Sequence, residues 1–144
     1  MSPDVAAALE RSIAHWEQVR DARHPGDVFL GPTQCALCEM FWASACCGCP
    51  VAMRTEQTGC RDTPYTAAGY ALGRWDTAVI HRMSSQDRAH SEFRDAAQRE
   101  IDFLVSLRTP MRSSDDILWI GIVGAGLYIA GMVAVILHAW VGSR

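Results

Sequence analysis

Six cysteines fall between positions 35 and 60: Cys35, Cys38, Cys46, Cys47, Cys49 and Cys60. That density limits what the segment can fold into. Gly48, Pro50 and Gly59 break it into loops, and a short chain with one modest core gains from a metal or covalent clip. From Gly31 to Asp62 the sequence reads as loop, with one short helix expected over Cys35 to Trp42.

The spacing is Cys-x2-Cys-x7-Cys-Cys-x-Cys-Pro-x9-Cys. Two Cys-x-x-Cys pairs can be drawn, Cys35 with Cys38 and Cys46 with Cys49. A Cys-x-x-Cys turn aims two thiolates at one ion while its backbone amides face the sulfurs. Two such pairs make a closed structural zinc site. A variant set takes Cys38, Cys46, Cys49 and Cys60, so the candidate ligands are Cys35, Cys38, Cys46, Cys49 and Cys60. Sets like these also hold iron–sulfur clusters, in which a Cys-Pro step recurs. Disulfides or unmodified thiols are the alternatives, and disulfides require an oxidising compartment. Cys47 is expected outside any site, because adjacent cysteines rarely bind one ion together.

The second constraint is the run from Ile117 to Val141, which contains no Asp, Glu, Lys or Arg. As a helix it reaches about 37 Å, enough to cross a bilayer core with some tilt. Trp119, His138 and Trp140 suit the two interfaces. Only Gly142-Ser143-Arg144 follow, so a tail anchor in a single-pass membrane protein is expected. Arg99, Arg108 and Arg112 precede the run and Arg144 alone follows it, which places the N-terminal domain in the cytoplasm by the positive-inside rule. Gly126, Ala130 and Ala134 repeat every four residues, a spacing that lets membrane helices pack closely and self-associate.

The rest reads as an all-α domain over residues 1–109, with a hinge at 110–116 and the membrane helix at 117–141. A first helix is expected from Pro3 to about Ala22, capped by Ser2, with Val5, Leu9, Ile13 and Trp16 inward. His24-Pro25-Gly26-Asp27 ends it. Thr63-Pro64 caps a helix running to about His81, with Tyr65, Ala68, Leu72, Trp75 and Val79 inward. Ser84 or Ser85 caps the last, from Gln86 to Arg108, with Ala89, Phe93, Ala96, Ile101, Leu104 and Leu107 inward. No alternating strand pattern and no internal repeat is present. Met40, Phe41 and Trp42 are expected to pack over the cysteines, His15 to meet backbone, and His81 and His90 to lie on the surface.

Five pieces of the sequence together resemble a family of small bacteriophage and prophage proteins of unknown function. They are Ile13-Ala14-His15-Trp16, Cys35-Ala36-Leu37-Cys38, Cys46-Cys47-Gly48-Cys49-Pro50-Val51, Cys60-Arg61-Asp62-Thr63-Pro64-Tyr65 and Glu100-Ile101-Asp102-Phe103-Leu104. The resemblance covers about residues 11 to 108. It implies a viral or prophage origin, a cysteine-built fold, and membership of Cys35, Cys38, Cys46, Cys49 and Cys60 in the shared pattern. Cys47 departs from that pattern. So does the apolar run, since family members end near the position of Leu107. The family carries no activity to transfer.

The formal net charge of −3 and the absence of a basic stripe argue against nucleic acid as a partner. All 13 basic residues other than histidine are Arg. The N-terminus shows no basic stretch leading into an apolar one, so no secretory signal is expected. No Ser/His/Asp order, phosphate-loop pattern or paired carboxylates point to an enzyme. The expected role is a membrane-tethered interaction protein with a structural zinc module. Two other roles compete with it: a virion or membrane-assembly subunit joined through its membrane helix, and a membrane-tethered iron–sulfur or redox protein.

Overall fold

The computed structural model describes residues 1–108, which fall within one compact unit, Met1–Thr109. The hinge at 110–116, the apolar run and its Gly126, Ala130 and Ala134 lie outside the described residues. Among the described residues there is no strand, and no helix is long and apolar enough to cross a membrane.

Three long helices carry the fold. Helix α1 spans Pro3–Arg20. Ser2 caps it by accepting from the Val5 N–H, and Pro3, lacking an N–H of its own, occupies the first turn where no partner is needed. Its buried face is Ala8, Leu9, Ser12, Ile13, Trp16 and Val19, and Val5 is half-buried. It ends two residues earlier than expected, and the chain then turns tightly through Pro25–Asp27, where His24 Nδ1 accepts from the Gly26 N–H at 3.0 Å.

The chain next enters the cysteine region. Helix α2 spans Ala36–Phe41 and continues into a single tighter turn, Trp42–Ser44. Helix α3 spans Pro50–Thr55, a stretch expected to be loop. Pro50 here opens a helix: at its first position the fixed φ of proline is an advantage and the missing donor costs nothing.

Helix α4 spans Pro64–Ile80 and α5 spans Gln86–Ser106. Thr63 caps α4, its hydroxyl accepting from the Tyr65 N–H. Ser85 occupies the cap position of α5, yet its side chain makes no capping hydrogen bond because its backbone is not extended there. α4 packs on α5, and α5 also packs on α1. Glu10 meets Arg108, Arg20 meets Gln98, and the Ala22 carbonyl meets His90, so α1 and α5 run antiparallel.

The core between them holds Leu9, Trp16, Trp75, Phe93, Ile101 and Leu104. Full burial of side chains this size contributes about 1.5–3 kcal/mol each. Trp75 stacks on Phe93 at 5.2 Å and on His90 at 4.3 Å between ring centroids. His90 was expected on the surface. Instead it closes one end of the core, half-buried, with Nε2 3.1 Å from the Ala22 carbonyl. Trp75, three turns into α4, supplies the ring face that holds it there.

Candidate metal centre

Two short helices position the sulfurs in the same manner. Cys35 is the residue before α2 and Cys49 the residue before α3, both with extended backbone. Each sulfur therefore faces N–H groups of the turn that follows: those of Leu37 and Cys38 for Cys35, and those of Val51 and Ala52 for Cys49. The loop joining the two helices folds back on itself. The Cys46 N–H donates to the Phe41 carbonyl at 2.9 Å, and the Cys49 N–H to the Cys46 carbonyl at 3.0 Å. Cys46 itself has φ of 65°, in the left-handed region. Gly48 has φ of 83°, a left-handed conformation that favours glycine, while a Cβ there would meet the Phe41 ring only at ordinary contact distance.

These turns bring Cys35, Cys38, Cys46, Cys49 and Cys60 onto one cavity of about 180 Å³. They come from three parts of the chain: α2, the loop before α3, and the approach to α4. Cys47 lies outside the cavity and is exposed. The frame supplies the opposite wall, with His15 and Trp16 from α1, Tyr65 from α4, and Glu100 and Leu104 from α5. Phe41 and Trp42 also line it, although Trp42 is 65% exposed and so sits at its mouth. Met40, expected to cover the sulfurs, points outward and does not line the cavity. His15 Nε2 lies 3.2 Å from the Phe29 carbonyl and ties the incoming loop to α1.

The electrostatics single out one thiol. Cys35 is drawn down to about 5, first by the hydrogen bond from the Cys38 thiol, against its burial, and further by backbone N–H groups and Ser12. Cys38 is pushed up, because ionising it would forfeit that bond and place a second charge beside Cys35. Burial raises Cys49, and burial with the charge of Cys35 raises Cys60 to about 12. Ser12 Oγ lies 3.7 Å from Cys35 Sγ, 3.0 Å from the Ala8 carbonyl, and accepts from the Leu37 N–H at 3.4 Å. A serine on the buried face of α1 thus anchors α2 and its first cysteine.

Glu100 is the other residue that sequence reasoning missed. It is 2% exposed, on the same face of α5 as Phe93, Ala96 and Leu104. Burial raises its carboxyl to about 7; the Tyr65 backbone N–H opposes this and the charge of Cys35 adds to it. Its Oε2 is buried and has no hydrogen-bond partner. The signal was present in the sequence: a glutamate at a position where the helical stripe calls for an apolar side chain.

Among the described residues, no three His, Cys, Asp or Glu side chains close tightly enough around one point to enclose an ion. The sulfurs ring a cavity. The donor chemistry suits a borderline-soft cation: five thiols, two of them facing helix-start amides, and a buried carboxylate oxygen that lacks a partner. His24, which caps its own turn, and the exposed His81 take no part. Comparison with protein-family models, curated proteins and solved structures gives no match for this chain.

Proposed function

We propose that this chain is a membrane-tethered interaction protein whose helical domain carries a zinc-type structural centre on Cys35, Cys38, Cys46, Cys49 and Cys60. One observation supports the metal most strongly. Cysteines from three separate segments share a single cavity, while the one extra cysteine, Cys47, stays outside it. Thiols buried for packing alone have no reason to sort in this way. The interaction role is supported by Phe29, Trp42 and Met53, which are 64%, 65% and 57% exposed in and beside the cysteine region. Large apolar side chains left in water suit a protein partner.

The tether rests on the uncharged run from Ile117 to Val141. A phage or prophage origin rests on the five sequence pieces named above. The mixed apolar and aromatic lining of the cavity also suits an iron–sulfur cluster, which is the competing reading of the same cysteines.

The test is elemental analysis of the full chain, extracted from membranes with detergent and purified anaerobically, together with its absorption spectrum. The expected result is zinc in stoichiometric amount, no visible absorption, full retention in Cys47→Ala and loss in Cys49→Ala. Iron with sulfide and visible absorption would establish the cluster instead. Metal-free protein with paired cysteines would overturn both centres, and recovery without detergent would overturn the tether.

A further inference from the structure

The cavity has one feature that an all-sulfur centre leaves unexplained. Glu100 stands on the buried stripe of α5, between Ala96 and Leu104, a position where the helix is otherwise apolar. It is 98% removed from solvent, and its Oε2 meets no donor. The ion pairs of the described residues lie elsewhere: Arg20 with Asp21, Arg74 with Glu92, and Arg108 with Glu10. The groups that share its cavity are thiols, a phenol, apolar and aromatic side chains, and His15 of α1, whose Nε2 meets the Phe29 carbonyl. A cation among the sulfurs would give Oε2 the partner it lacks.

We infer that Glu100 is a ligand of the cation held by this cavity, making the centre a mixed thiolate–carboxylate site with Glu100 joining sulfurs on the α5 side. This rests on the metal reading above and sharpens it. With five sulfurs and one carboxylate there are more donors than a tetrahedral ion accepts, so the sulfurs do not all bind a single ion alongside Glu100. A carboxylate is the hardest donor in the set and the one a zinc-type ion holds least firmly among thiolates. Glu100 therefore marks the side of the centre where a ligand can exchange.

The test uses the full chain in detergent, stripped with chelator under anaerobic conditions and titrated with Co²⁺, with Zn²⁺ as competitor. Wild type should show sulfur-to-cobalt charge transfer with ligand-field bands of a mixed sulfur–oxygen tetrahedron. Glu100→Gln keeps the side chain's shape and removes its charge. It should retain the charge-transfer bands, shift the ligand-field bands, and bind Co²⁺ at least about tenfold more weakly. Its metal-free helix content should match wild type. Unchanged bands and affinity in Glu100→Gln would overturn the assignment and leave the thiolate centre standing. No Co²⁺ uptake by wild type would overturn the thiolate centre itself. ¹¹³Cd resonance of the wild-type chain gives an answer that needs no variant: a shift typical of four sulfurs would overturn the carboxylate ligand, and one moved towards oxygen coordination would establish it.

Discussion

From Pro64 to Ser106 one non-glycine residue takes positive φ, Arg82 in the turn after α4. Between Gly31 and Asp62 positive φ is far more frequent. Ala45, Cys46, Glu56 and Asp62 all take positive φ, as do Gly31, Gly48 and Gly59. Each non-glycine residue held in the left-handed region costs about 1–2 kcal/mol. The long helices bury Trp16, Trp75 and Phe93 in return for their ordering. The cysteine region buries little of comparable size beyond Leu37 and Val51, and leaves Trp42 and Met53 in water. The frame is held by packing, and the cysteine region has less of it. The cation proposed above would supply the stability that packing does not.

That contrast can be tested on the frame first. Phe93→Ala should cost about 3–5 kcal/mol, because a fully buried ring is removed and its stacking on Trp75 lost. Denaturant unfolding of the full chain should show the same loss with and without chelator. A loss seen only in the presence of metal would mean that the two regions are not separately held.

Glu100 sets the next effect, in metal-free protein. Its carboxyl is raised to about 7 from an ordinary 4.5. Below pH 4.5 it is protonated in both folded and unfolded chains and imposes no penalty. Between 4.5 and 7 the unfolded chain ionises while the folded one keeps its proton, so stability falls as pH rises. Above 7 the loss is complete, at roughly 3 kcal/mol. Cys35 acts in the opposite sense, since its folded thiol ionises from about 5 against an ordinary 9.0 and so adds stability as pH rises between those values. The difference between wild type and Glu100→Gln in chelated urea melts from pH 4.5 to 8 isolates the Glu100 slope. Parallel curves for the two proteins would show that the carboxyl does not oppose folding.

The smallest effect lies at the seam between the regions. Thr63 Oγ1 donates to the Cys60 carbonyl at 2.9 Å and accepts from the Tyr65 N–H at 3.3 Å. Thr63→Ala should cost about 1 kcal/mol, as the loss of a helix cap usually does. Hydrogen exchange should quicken at Tyr65 and Thr66. A larger loss, accompanied by weaker metal binding, would show that this one hydroxyl couples the cap of α4 to the placement of Cys60.

Much of the frame was legible in the sequence because its signals are local. Ser2-Pro3 and Thr63-Pro64 start helices where the structure starts them, since a side-chain oxygen and a following proline meet the needs of a helix N-terminus within three residues. The stripes Leu9, Ile13, Trp16 and Ala89, Phe93, Ala96, Leu104 are buried as their period demands. The helix opened by Pro50 was less legible, because Gly48 and the cysteines around it read equally well as loop. So was His90, which leaves solvent only because Trp75 of another helix offers it a ring face.

By itself, then, the sequence determined the all-α class of the described domain, its helix starts and its buried stripes, all of which depend on residues three or four apart. It also marked out which cysteines belong to repeated spacings. Only the tertiary structure decided that five of the six cysteines meet at one cavity, that Ser12 anchors α2, and that a buried glutamate from a helix some forty residues further along lines the same cavity. Those facts depend on how α1, α4 and α5 pack around the cysteine region, and packing joins residues whose separation along the chain carries no periodic signal.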